Sequence, residues 1–250
     1  MGRALVTGAS SGIGREMARQ LDARGHEVVL VARSQEGLEE TASTMRASTI
    51  VVADLGSPEG CDSLLKAVDK VDILINNAGF GECGPFASSD QRRQLSMIQV
   101  NCIALTALTG AYLPSMLEAD HGKVLNIAST AAFQPGPEMA VYYATKAYVL
   151  SFSEAIAEEV RGTGVSVTAF CPGAFASGFQ ETAHASNTRL FKDRSVPDSN
   201  AMAIEALRAM DRGAVVAVPG LANKVGAASV RFTPRPVVRR FVHYVQGEAS

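Results

Sequence analysis

Arg3-Ala4-Leu5-Val6-Thr7-Gly8-Ala9-Ser10-Ser11-Gly12-Ile13-Gly14 joins a short apolar run to a helical pattern through a turn with three glycines. Before the turn the run is continuous; after it Ile13, Met17, Ala18 and Leu21 recur on one helical face. Glycine here permits a positive φ and lets a phosphate approach the backbone. Free N–H groups at the helix start then face that phosphate, and the helix dipole favours its charge. The spacing is G-x-x-x-G-x-G, one residue longer than G-x-G-x-x-G. Close helix–strand packing would also call for glycine, but a strand before, a helix after and a second strand at the right distance favour a dinucleotide.

The same alternation continues along the chain. Strand-like runs are Arg3–Thr7, Glu27–Val31, Thr49–Ala53, Asp72–Ile75, Lys123–Ala128, Val165–Phe170 and Ala214–Val218. Continuous apolar strands of this kind lie in parallel sheets covered on both faces. Between them run helical patterns, such as Leu64, Leu65 and Val68. The expectation is an α/β doubly wound parallel sheet of seven strands with helices on both faces, one domain over 1–250. Residues 178–200 are polar and break the rhythm, as a candidate substrate lid or a surface loop.

Composition fits this reading. The 250 residues carry 23 Lys+Arg and 25 Asp+Glu, a net charge of −2, which argues against a polybasic nucleic-acid binder. Apolar residues at 47% can build a core, and charged residues at 19% argue against disorder. Cys61, Cys83, Cys102 and Cys171 form no C-x-x-C pair and no zinc pattern, so no metal site is expected. The first strand leaves no room for a signal segment, and no uninterrupted apolar run approaches a membrane span. The expected location is the cytoplasm, with reduced thiols.

The second strand ends Val31-Ala32-Arg33-Ser34, with no acid to bind a ribose 2′-hydroxyl. Arg33 can pair with a 2′-phosphate and Ser34 can add a hydroxyl, so NADP(H) is expected over NAD(H). Arg15 is a second candidate for that phosphate.

Tyr142 and Lys146 stand four apart in Tyr142-Tyr143-Ala144-Thr145-Lys146, on one helix face. A phenol is a poor acid or base at neutral pH unless its phenolate is stabilised, and a nearby ammonium does that. Tyr143 would need its lysine at Ala147, so spacing selects Tyr142. Ser129 ends the fifth strand, Asn76-Asn77-Ala78-Gly79 ends the fourth, and Asn101 lies in the following helix. Carboxyl ends of parallel strands form the ligand crevice.

With Asp54 and Pro172-Gly173, these motifs resemble the short-chain dehydrogenase/reductase family in order and spacing over nearly the whole chain. The resemblance implies a Rossmann-like fold and hydride transfer between the B face of a nicotinamide and a carbonyl or alcohol. It implies Tyr142 as general acid or base, Lys146 lowering its pKa and holding the nicotinamide ribose, and Ser129 bonding the substrate oxygen. Asn101 would hold a water leading from Lys146 to solvent. Gly8, Ser10, Ser11, Gly12, Ile13 and Gly14 would cradle the pyrophosphate. Asp54 and Leu55 would sit by the adenine, and Asn77, Ala78 and Gly79 by its ribose. Pro172, Gly173, Phe175 and Ser177 would adjoin the nicotinamide.

Phe80, Phe86, Phe133, Pro135, Phe175 and Phe179 follow the strand ends, so the expected substrate is an apolar carbonyl or alcohol. His184 and Arg189, in the candidate lid, are possible contacts for a polar group. Segment 234–246 has Val237, Val238, Phe241, Val242 and Val245 on one face, with Arg235, Arg239 and Arg240 largely elsewhere. A helix docked on its own fold or a partner is favoured over one on a membrane surface. Helices resembling the family's dimer helices imply a homodimer or homotetramer. The alternatives to an oxidoreductase are a nucleotide-sensing binding protein on the same fold, or a same-fold epimerase or dehydratase.

Overall fold

Side chains of β1 (Arg3–Thr7) alternate between two apolar layers, Ala4 and Val6 in one and Leu5 in the other. Both layers are buried, so the strand reads as one continuous apolar run. These positions come from a computed structural model that describes residues 2–174 and 198–246. After β1 come α1 (Gly12–Ala23), β2 (Glu27–Ala32), α2 (Gln35–Ala42), β3 (Ser48–Val52), α3 (Pro58–Ala67) and β4 (Ile73–Asn76). Next, α4 (Gln91–Ile98) joins α5 (Leu105–Glu118) through a π-helical turn at Gln99–Ala104. Then follow β5 (Gly122–Ile127), α6 (Ala140–Glu159), β6 (Val165–Phe170), α7 (Ser199–Asp211), β7 (Val216–Ala217), α8 (Leu221–Ser229) and α9 (Arg235–Gln246).

All neighbouring strands are parallel, in the order β3-β2-β1-β4-β5-β6-β7. The chain order reverses between β1 and β4, where a doubly wound sheet opens a crevice at its carboxyl ends. Residues of α1 and α7 share one core layer, built on Met17, Leu21, Leu207 and Met210. Leu64 of α3 and Leu108, Tyr112 and Met116 of α5 fill the other, together with Val160 beyond α6.

β1 and β6 have the bounds expected from the sequence, and the other strands depart from theirs by one or two residues, most at β7. Among the described residues it pairs only with β6, through Ala169 N–H to Val215 O and Cys171 N–H to Ala217 O, both at 2.8 Å. An edge strand keeps only the length its one neighbour supports, and Pro219 follows. The continuous helix Gln91–Glu118 is long and apolar enough to cross a membrane by length and composition. Its second half packs on the sheet through Leu108, Tyr112 and Met116, as a core helix does.

Candidate active site

Thr7 fastens the turn after β1 to the turn after β4. Its hydroxyl accepts from Asn77 N–H and Ala78 N–H, each at 2.9 Å, and donates to Ile75 O at 3.2 Å. Asn77 Nδ2 returns a bond to Thr7 O at 2.8 Å. Gly8 has φ +67°, and a Cβ on Gly14 would lie 2.3 Å from Gly8 O. The turn is therefore closed to side chains at its tightest point. Ser11, at the head of α1, makes no side-chain cap, so the N–H groups of the first helical turn are left for a ligand. Ser10, Ser11, Gly12 and Ile13 line a cavity of ≈ 1330 Å³. This cradle, with room beside it for a dinucleotide and a substrate, fits the expected cofactor.

Arg33 and Ser34 line the same cavity and are exposed. Ser34 also caps α2, accepting from Gly37 N–H at 3.1 Å. Arg15 is committed elsewhere: its two terminal nitrogens each meet a Glu40 carboxylate oxygen at 2.8 Å, and one reaches Ser10 O. It braces α1 against α2 and is not placed as a second phosphate ligand. Asp54, Leu55, Asn77, Ala78 and Gly79 line the cavity from the ends of β3 and β4. The Asp54 carboxylate accepts from Gly56 N–H at 3.0 Å, which fixes its own turn.

At the far side of the cavity, Ser129, Tyr142 and Lys146 converge. Ser129 follows β5 and starts the 3₁₀ turn Thr130–Phe133, with Ala131 N–H donating to its Oγ at 3.1 Å. The Tyr142 phenol is hydrogen-bonded to the Ser129 side chain. Lys146 is buried, donates to Ile127 O at 2.7 Å and sits 5.8 Å from the Tyr142 ring centroid. Tyr143 points elsewhere: Gln246 Nε2 donates to its hydroxyl at 2.5 Å. Spacing thus selected the tyrosine that reaches Ser129.

Asn101 is buried in the π-helical turn rather than in regular α-helix. Its side chain accepts from Phe80 N–H and donates to Phe80 O and Thr145 Oγ1, all within 3.1 Å. Side-chain hydrogen bonding therefore ties the turn after β4 to α6. Beneath the site runs a polar chain that the sequence reading missed. Asn76 Nδ2 donates to Thr109 Oγ1 and Asn126 Oδ1, and Asn126 Nδ2 donates to Ser153 Oγ at 2.9 Å. Two asparagines inside otherwise apolar strands were its signal, since a buried amide needs partners.

Burial pushes the Tyr142 phenol far above its ordinary range, opposed by the Ser129 hydrogen bond and reinforced by Tyr143. The ammonium of Lys146 bonds Ile127 O, and the hydroxyl's hydrogen-bond partner is Ser129. Burial also lowers Lys146 from 10.5 to about 8, while Cys102 and Cys171 favour its charged form. Tyr142 is thereby kept protonated at neutral pH, as an acid for carbonyl reduction must be. Reduction should be level near neutrality and fall as pH passes about 8, where Lys146 loses its charge. Alcohol oxidation needs the phenolate, so it should rise only well above that range, where the buried phenol ionises. Rate–pH profiles in both directions check this; a reduction limb level up to the ordinary lysine pKa would contradict it.

The apolar wall differs from the expected one. Of Phe80, Phe86, Phe133 and Pro135, only Phe80 lines the cavity; Phe86 is exposed and Phe133 packs on a core cluster. The wall instead takes Met139, Tyr143, Val230 and, from α9, Val237, Val238, Phe241, Val242 and Val245. Pro172 and Gly173 line it after β6. Phe175, Ser177, Phe179, His184 and Arg189 lie outside the described residues, as does most of segment 178–200; Asp198 caps α7 through Ala201 N–H at 2.7 Å.

Residues 3–188 match the family model described as short chain dehydrogenase. The oxidoreductase YvaG of Bacillus subtilis (strain 168), described as uncharacterized, is 38% identical over 185 residues, 72% of this chain and 70% of its own. Among solved structures, a short-chain dehydrogenase from Sphingobium yanoikuyae in complex with NADPH superposes with a TM-score of 0.84 at 31% identity, covering 93% of this chain and 94% of the other. A bulky-bulky ketone specific alcohol dehydrogenase from Comamonas testosteroni superposes with a TM-score of 0.78 at 30% identity, covering 93% of each chain.

Proposed function

The chain belongs to the short-chain dehydrogenase family and is an oxidoreductase, and on that premise we propose that it reduces a bulky apolar ketone with NADPH, or oxidises the matching secondary alcohol. The observation that carries this reading is the meeting of Ser129, Tyr142 and Lys146 in the cavity that also holds the glycine turn and Arg33. When bound, the cofactor supplies the hydride. Tyr142 donates its phenolic proton to the substrate oxygen, and Ser129 hydrogen-bonds that oxygen as negative charge develops there. Lys146, held by Ile127 O, keeps a positive charge beside the phenolate that results. Asn101 is a positioning residue, joining the turn after β4 to the helix that carries Tyr142. The apolar residues of α9 wall the substrate end of the cavity.

The NADP(H) preference rests on Arg33, which is exposed at the cavity and enters no ion pair among the described residues. Arg33→Ala should weaken NADPH binding by about 10–100-fold, the worth of a charge-assisted phosphate contact, and leave NADH binding nearly unchanged. Titration of both cofactors checks this; a retained preference would remove Arg33 from the role. Bulky ketones and their alcohols are the first substrates to assay, and their turnover tests the reading as a whole. We also propose a homo-oligomer built on α4–α6, where Leu95, Ile98, Ile103 and Tyr148 are exposed, with the solution mass as its readout.

A further inference from the structure

We propose that the face made by α8 and α9 docks on an anionic lipid surface. Residues 213–246, which carry these two helices, hold five basic side chains, Lys224, Arg231, Arg235, Arg239 and Arg240, and no Asp or Glu. The rest of the chain has 18 basic and 25 acidic residues, so it is net −7. Charge is therefore segregated, although the total is −2. None of the five basic side chains enters an ion pair among the described residues.

Large apolar side chains stand among these charges. Leu221 is 78% exposed and Phe232 88%, and Val225, Val237 and Phe241 are also exposed. Basic groups beside outward-facing Phe and Leu are the composition of a segment lying in a membrane interface. Basic side chains near an anionic leaflet add attraction. The opposite face of α9 is anchored on the protein: Val238 and Val242 pack with Ala131, Met139 and Tyr143, and Gln246 bonds Tyr143. The helix can thus meet a bilayer without leaving the fold.

A second copy suits this face less well. A two-fold contact would set the same patch against itself and place cation on cation. Val237 and Phe241 both line the cavity and are exposed, so the cavity opens beside this face. A ketone dissolved in the bilayer would reach the site without crossing water; this last point rests on the proposed function.

The test is co-sedimentation of the full chain with phosphatidylcholine vesicles, with and without phosphatidylglycerol. The chain should pellet with the anionic vesicles and be released by high salt. At about fivefold per basic residue, R235E/R239E/R240E should lower the partition constant by about 100-fold or more. L221S/F232S should lower it roughly tenfold. None of these five residues lines the cavity, so both variants should reduce a water-soluble ketone as the parent does. That control separates failure of docking from failure of the proposed function. Absence of pelleting with anionic vesicles, charge-reversed protein that pellets like the parent, or a loss of oligomer mass on charge reversal would each overturn the proposal.

Discussion

Tyr142→Phe is expected to lower carbonyl reduction by about 10³-fold or more while NADPH binds as before, the scale of a positioned proton donor. The substitution removes one oxygen from the cavity, and that oxygen bonds the Ser129 side chain. Lys146 keeps its bond to Ile127 O, and the glycine turn is untouched. Tyr143→Phe is the control: it loses only the contact from Gln246 and should retain most activity. The pair also separates an oxidoreductase from a nucleotide-sensing protein, whose function would survive loss of the Tyr142 hydroxyl. Steady-state rates and NADPH titration measure both halves. Undiminished turnover in Tyr142→Phe would remove this residue from the chemistry.

Gly14→Ala should have the largest effect on the cofactor end. Its Cβ would lie 2.3 Å from Gly8 O and 2.4 Å from Asn77 Nδ2. Neither neighbour can retreat easily. Gly8 is backbone at φ +67°, and Asn77 Nδ2 is held by Thr7 O at 2.8 Å. The helix start must therefore shift away from the turn that aims its N–H groups. Overpacking of this kind costs about 1–3 kcal/mol, and the misplaced donors should weaken NADPH binding at least roughly tenfold. The chain has no Trp, which suits a titration by NADPH fluorescence. Unchanged affinity with an unchanged melting temperature would contradict the cradle described here.

Local pattern carried the sheet into the sequence plainly. Leu5 and Val29 face one layer and Val6 and Leu30 the other, so each strand reads as an unbroken apolar run. β7 was legible only as a longer strand, because its end is set by a single pairing partner and not by its own residues. The site was legible where chemistry depends on short spacing, as with Tyr142 and Lys146 on one turn. It was not legible where contacts span the chain. Arg15 looks like a phosphate ligand until Glu40, 25 residues on, is seen to hold it. The substrate wall was sought in Phe86 and Phe133 near the strand ends, yet it comes from α9, which only the tertiary fold brings back over Met139 and Tyr143. The pKa of Tyr142 likewise depends on burial, which spacing does not report.

Direct hydride transfer in this cavity is tested by reducing a bulky ketone with NADPH carrying deuterium on the B face of the nicotinamide. Mass spectrometry of the alcohol should find the deuterium on the carbinol carbon, and none when the label is on the opposite face. An unlabelled alcohol from B-face-labelled cofactor, or label arriving from the other face, would contradict it.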